Sequence, residues 1–296
     1  MRNGILLATI LGLGMGLAGM AAQAGPANNF VAEGARNVAG GRTVLVVLPQ
    51  AEIKSNIVDS KIAMAAGGGL LMALIDAGVN SSRAKKAEEA ILPVRSALMG
   101  FDADTLAVGT TDKALASLEW FGAKPATLSK DVSPAARLAA LDAAATPQTA
   151  FIQYEYGASP DLAALVVTAT IQIAPHETPA GKTPDARLAP KYSVYNQTVR
   201  SVVVLPDAAK ETGPNAQRWS ADNGALARQG LTEAFAQLQS LEARALQVSA
   251  EDLDKFKKTK GSTTAGGHSG KLVEQNDSGT LLFDGTFIHV LTLPAK

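Results

Sequence analysis

Hydrophobic positions recur along the chain in two rhythms, and the switches between them mark out its elements. Thr43-Val44-Leu45-Val46-Val47-Leu48 is an unbroken, β-branched run closed by Pro49, which predicts a strand buried on both faces. From Ser81 the rhythm becomes helical. Ala87, Ile91, Val94 and Leu98 share one face, while Arg83, Lys85, Lys86, Glu88, Glu89 and Arg95 lie largely elsewhere. Pro93 is expected to kink or restart this helix. A shorter helix is predicted around Thr111 to Phe121, with Trp120 and Phe121 as core anchors. Ser133-Pro134 opens an Ala-rich helix that runs to about Ala145.

Period-two alternation then takes over. Phe151, Gln153 and Glu155 alternate with Ile152, Tyr154 and Tyr156, and residues 165–174 and 192–205 carry further strands. Pro175 to Pro190 holds four prolines and no apolar run, which predicts a long exposed loop. A second long helix is expected from Asn215 to Gln247. Its buried stripe is Trp219, Leu226, Leu231, Phe235, Leu238, Leu241 and Leu246, and Gly224 and Gly230 are its weak points. A short charged helix follows at 251–260, and residues 261–270 read as a Gly/Ser/Thr linker. The tail predicts a hairpin, with Thr280–Phe283 and Thr286–Leu291 flanking Asp284-Gly285.

These elements predict an α+β fold of two layers, with long helices packed on a mostly antiparallel sheet and a C-terminal β-hairpin appendage. The expected organisation is a signal peptide at 1–24, a flexible leader at 25–41 and a main domain at 42–248. A charged helix and linker at 249–270 and the hairpin at 271–296 complete it.

Two apolar stretches stand apart. Arg2 precedes the run Ile5–Met20, and Ala22-Gln23-Ala24 presents small residues where signal peptidase requires them. This predicts export, with cleavage after Ala24 and a periplasmic location. In the second stretch, 61–80, the small residues Ala65, Gly69, Ala73 and Ala77 recur every four positions, so a helix would carry them as one groove. Such a groove suits a tightly packed core helix, with a contact between helices or with a membrane as the competing reading. Asp76 and the short span argue against a stable membrane crossing after signal cleavage.

Composition narrows the partners. Lys+Arg and Asp+Glu are both 27, so no net field favours nucleic acid. Aromatics are 5% of residues, too sparse for a stacking platform. There is no Cys, which excludes disulfides and the lipid anchor of bacterial lipoproteins.

The search for chemistry yields no reaction. Gly67-Gly68-Gly69 lacks a following Gly-Lys-Ser/Thr and lies far past its strand, so it is not a phosphate loop. His176, His268 and His289 form no spaced pair, so neither a metal nor a cofactor is expected. No Gly-x-Ser-x-Gly elbow occurs. Asp102 with Asp104, and Asp252 with Asp254, suit a turn and a solvated helix. Glu155 is the one carboxylate in an apolar strand. Alternation puts it on a wet face, and catalysis by paired carboxylates is the competing reading.

Gly67–Ala77, Arg83–Glu88 and Pro93–Leu98 together resemble a group of uncharacterised exported proteobacterial proteins, over roughly residues 42–247. That family carries no established activity. In element order the chain is also similar to the periplasmic α/β domain of curli-secretion-type lipoproteins and the amino-terminal domain of the Tol-Pal translocation protein. The lipidated Cys of the former is absent here, so outer-membrane pore formation is not implied. The expected function is non-enzymatic binding in envelope assembly or maintenance, with an envelope protein as the conceivable partner. The alternatives are an exported carboxylate-dependent hydrolase, with Glu155 first to be tested, and an envelope oligomer or pore component using the 61–80 face.

Overall fold

Alternation along the central strands sorts side chains onto two faces of one sheet, and that sorting places the helices. The computed structural model describes residues 29–55 and 88–294. The strands are β1 (Arg42–Val47), β2 (Lys54–Ser55), β3 (Thr127–Ser129), β4 (Gln148–Ala158), β5 (Ala164–Pro175), β6 (Tyr195–Val204), β7 (Thr263–Ala265), β8 (His268–Asn276), β9 (Gly279–Phe283) and β10 (Phe287–Thr292). The helices are α1 (described over 88–97), α2 (Ala103–Ala116), α3 (Pro134–Ala143), α4 (Thr212–Gln247) and α5 (Ala250–Lys258).

The sheet order is β3-β1-β4-β5-β6-β10-β9-β8-β7, with β2 on β4 beyond the end of β1. The long β4–β5 and β5–β6 ladders and the β8–β9–β10 meander are antiparallel. β1 runs parallel to β3 and β4, and β10 runs parallel to β6. The α+β fold with a mostly antiparallel sheet is thus the one the pattern predicts.

On one face, Ile152 and Tyr154 of β4, Leu165 and Val167 of β5 and Val199 and Val203 of β6 meet α1, α2 and α4 in the main core. The predicted stripes are buried: Ile91 and Val94 on α1, and Trp219, Leu231, Phe235, Leu238 and Leu246 on α4. The other face carries two small apolar clusters. Leu141 of α3 covers Phe151 and Ala174, and Ala265 lies against Val166, Val202 and Val290. Between them Gln153, Glu155, Thr168, Thr170 and Thr198 stay at least partly open to solvent.

Element boundaries follow local chemistry. Asp102 caps α2 by accepting from the Thr105 amide at 3.0 Å, so this helix begins well before Thr111 and ends before Trp120. Ser133 caps α3 in the same way, with Pro134 at the first helical position. Pro93 lies within α1 without ending it. α4 is broken at Ala221–Gly224, where the backbone leaves helical geometry at the predicted weak point Gly224. The 175–190 loop is mostly exposed, as its prolines predict, and is anchored near its end. Buried Arg187 ties it to α3 through Asp142 at 2.8 Å.

The segment expected as a linker folds instead. Residues 261–270 contain β7 and the start of β8, and Gly266 presses on the sheet so closely that a Cβ would lie 2.7 Å from Val290 and 2.8 Å from Val204. The hairpin forms around a turn at 284–286 rather than the two residues Asp284-Gly285, and it continues the main sheet through β10. Phe256 of α5 packs on Phe283 and Phe287 with ring centroids 5.6 and 5.8 Å away. A chain ending at Gly270 would bare the β6 edge and this aromatic face, so it should lose the cooperative thermal transition seen by circular dichroism. A truncated chain melting like the whole protein would show the hairpin to be independent.

Candidate functional site

The C-terminal half of α4 offers the sheet its apolar stripe and turns a neighbouring polar stripe sideways. Gln237, Ser240, Arg244 and Gln247, three or four residues apart, form that stripe, with Leu241 where it borders the core. They face the β8–β9–β10 meander across a cleft of about 680 Å³, whose other wall carries Glu274, Asn276, Ser278, Gly279, Leu281 and His289. This volume is in the range of small-molecule sites.

A β-bulge builds the second wall. The β8–β9 register shifts between Leu272 and Glu274, and so puts Glu274 opposite Leu281, on the helix side. There its carboxylate accepts from Arg244 Nη1 at 2.6 Å and from Asn276 Nδ2 at 2.8 Å. Arg244 is the main reason the Glu274 carboxyl titrates below its ordinary range. Asn276 Oδ1 also accepts from the Ser278 amide at 2.8 Å, which shapes the β8–β9 turn. Gly279 follows at φ +130, where a Cβ would lie 2.4 Å from the Val290 carbonyl oxygen and 2.9 Å from His289 Cε1. Only glycine allows the ring to sit there.

His289 is 8% exposed, and its Nδ1 has no hydrogen-bond partner. Burial holds the imidazolium below its ordinary range, with Glu274 and a hydrogen bond to the Ser278 backbone partly opposing. The ring is therefore neutral at neutral pH, and the cleft's fixed charges, Arg244 and Glu274, cancel each other.

Behind the cleft, on the sheet side of α4, lies a sealed polar cluster. Glu242 is fully buried. Tyr154 Oη of β4 donates to Glu242 Oε1 and lies 2.8 Å from Thr111 Oγ1 of α2. Glu242 Oε2 and Tyr195 Oη of β6 have no hydrogen-bond partner. Burial raises the Glu242 carboxyl to about 8, with the Tyr154 hydrogen bond partly opposing. A second buried charge is structural. The Arg42 guanidinium is held by Gln148 Oε1 and the carbonyls of Phe121 and Ala35 at 2.8, 2.8 and 2.6 Å. Burial lowers it to about 10, so it stays charged at neutral pH.

The residues singled out in the sequence are scattered. Glu155 is exposed on the open sheet face, opposite Thr168, with Gln153 Nε2 at 3.5 Å. Such a carboxylate lacks the enclosure that tunes general acids and bases. Asp102 is a helix cap, and Asp104 pairs with Lys130 at 2.5 Å. Asp252 closes the capping box of α5, and Asp254 pairs with Lys258 at 2.5 Å. His176 and His268 are half-buried and do not line the cleft. Ala65, Gly69, Ala73 and Ala77, and the triplet Gly67–Gly69, lie outside the described residues. Glu242 and the cleft escape a sequence reading. The one available signal is that Glu242 stands seven positions after Phe235 and four after Leu238, on the apolar stripe.

Among the described residues, no group of three or more His, Cys, Asp or Glu could hold a metal ion, and no helix is long and apolar enough to cross a membrane. Comparison with protein-family models, curated proteins and solved structures finds no match.

Gly279→Ala should displace His289 or the β9–β10 pairing and lower stability by about 1–3 kcal/mol, measured by urea denaturation. An unchanged midpoint would mean that the turn has room for a side chain.

Proposed function

We propose that the chain is an exported periplasmic protein that acts by binding in envelope assembly or maintenance, and that its ligand sits in the cleft between α4 and the hairpin. The observation that carries this reading is the cleft itself, which at about 680 Å³ has ligand size and is lined by polar side chains of α4 on one wall and by Glu274, Asn276, Ser278 and His289 on the other. The ligand class follows from the lining. Hydroxyls and amides of Ser117, Gln237, Ser240, Gln247, Asn276 and Ser278 surround a self-cancelling ion pair, so the cleft favours a neutral, hydroxyl- or amide-bearing molecule over a multiply charged one. The address rests on the basic, apolar and Ala-x-Ala segments of residues 1–24.

Fractionation and amino-terminal sequencing test the address. The expected result is a periplasmic protein beginning at Gly25, and retention of Met1 in the membrane fraction would refute it. Thermal-shift measurement of the exported protein against neutral polyols and short uncharged peptides tests the cleft. A true ligand at about one hundred times its Kd stabilises the fold by about 2.7 kcal/mol. That shift should vanish in His289→Ala. A shift that survives this substitution would place binding elsewhere. Turnover of a substrate, abolished by Glu155→Gln, would establish the hydrolase instead.

A further inference from the structure

Glu242 stands at the back of the wall that lines the cleft. Leu241 and Arg244, beside it on α4, face the cleft, while its own side chain points into the core. The groups around it come from every layer that α4 touches. β4 contributes Tyr154, β6 contributes Tyr195, and α2 contributes Thr111 through Tyr154, with Thr110 bonded to the Phe235 carbonyl. No cation among the described residues pairs with Glu242. A sealed carboxyl with one unsatisfied oxygen and no cation is tolerated when neutral and costly when charged.

We propose that Glu242 is a protonation latch for the cleft: its neutral carboxyl lets the C-terminal half of α4 seat on the sheet, and its ionisation lifts that half and spreads the cleft. The binding reading gives this latch its purpose, but the latch can be tested without any ligand. The direction follows from the raised carboxyl. Stability from the neutral form is complete below the ordinary Glu value of 4.5 and is lost as pH rises through about 8. Between these limits the unfolding equilibrium should grow up to about tenfold per pH unit. The other groups facing this region change charge outside the upper part of that window. Burial lowers His289, Arg244 lowers Glu274, and burial raises Tyr154 and Tyr195 well above 10.

The test is methyl NMR of the exported protein from pH 6.5 to 9.5, following Leu238 and Leu246 at the latch and Leu241 and Leu281 on the two cleft walls. All four should move together through one transition near pH 8 that is absent in Glu242→Gln. Tyr154→Phe removes a hydrogen bond that favours the ionised carboxyl, so it should shift the midpoint to higher pH. This variant keeps the test decisive if Glu242→Gln does not fold. A transition that persists in Glu242→Gln, cleft methyls that stay still while the core methyls move, or a Tyr154→Phe midpoint that falls would each overturn the latch. None of these outcomes depends on whether a cleft ligand is found.

Discussion

The parallel pairing of β10 with β6 is the constraint on which the rest of the molecule depends. The ladder from Phe287↔Val199 to Thr292↔Val204 inserts the last strand of the chain beside the centre of the sheet. β9 and β8 then follow outward from it, and α4, which lies across β5 and β6, gains a facing wall. Without this ladder the apolar groups of β6 would form an open edge, and the cleft would have one side. The cleft is therefore a product of long-range pairing, finished locally by the Glu274 bulge and by Gly279.

The second organising feature is the asymmetry of α4. The helix uses one stripe for the core and an adjacent one for the cleft, so an event on the core side is felt on the other. Glu242 is the polar member of the core stripe. Exposed ion pairs such as Arg244–Glu274 contribute little to stability, about 0–1 kcal/mol, and serve here to fix the cleft's shape. A buried carboxyl without a cation acts differently, because its cost switches with pH.

Much of this arrangement is legible in the chain. The alternation in 149–156 puts Glu155 on a wet face, where it is exposed, because period two is a local property. The α4 stripe and its break at Gly224 are legible for the same reason. The hairpin is legible as a pair, but its partner β6 is not, since nothing in a strand names a neighbour some ninety residues away. Residues 261–270 read as a linker because Gly, Ser and Thr dominate, yet Gly266 is there to let the backbone lie on Val204 and Val290. Glu242 is hidden because one polar residue in an apolar stripe does not reveal whether it is sealed or solvated.

Native-state hydrogen exchange tests most directly the claim that the hairpin wall and the sheet are one cooperative unit. The slowest amides of β10 should exchange only through global unfolding, with the same opening free energy as the slowest amides of β5. If β10 instead opens orders of magnitude more readily than β5, the hairpin is a separate unit. The cleft between it and α4 would then not be a fixed feature of the fold.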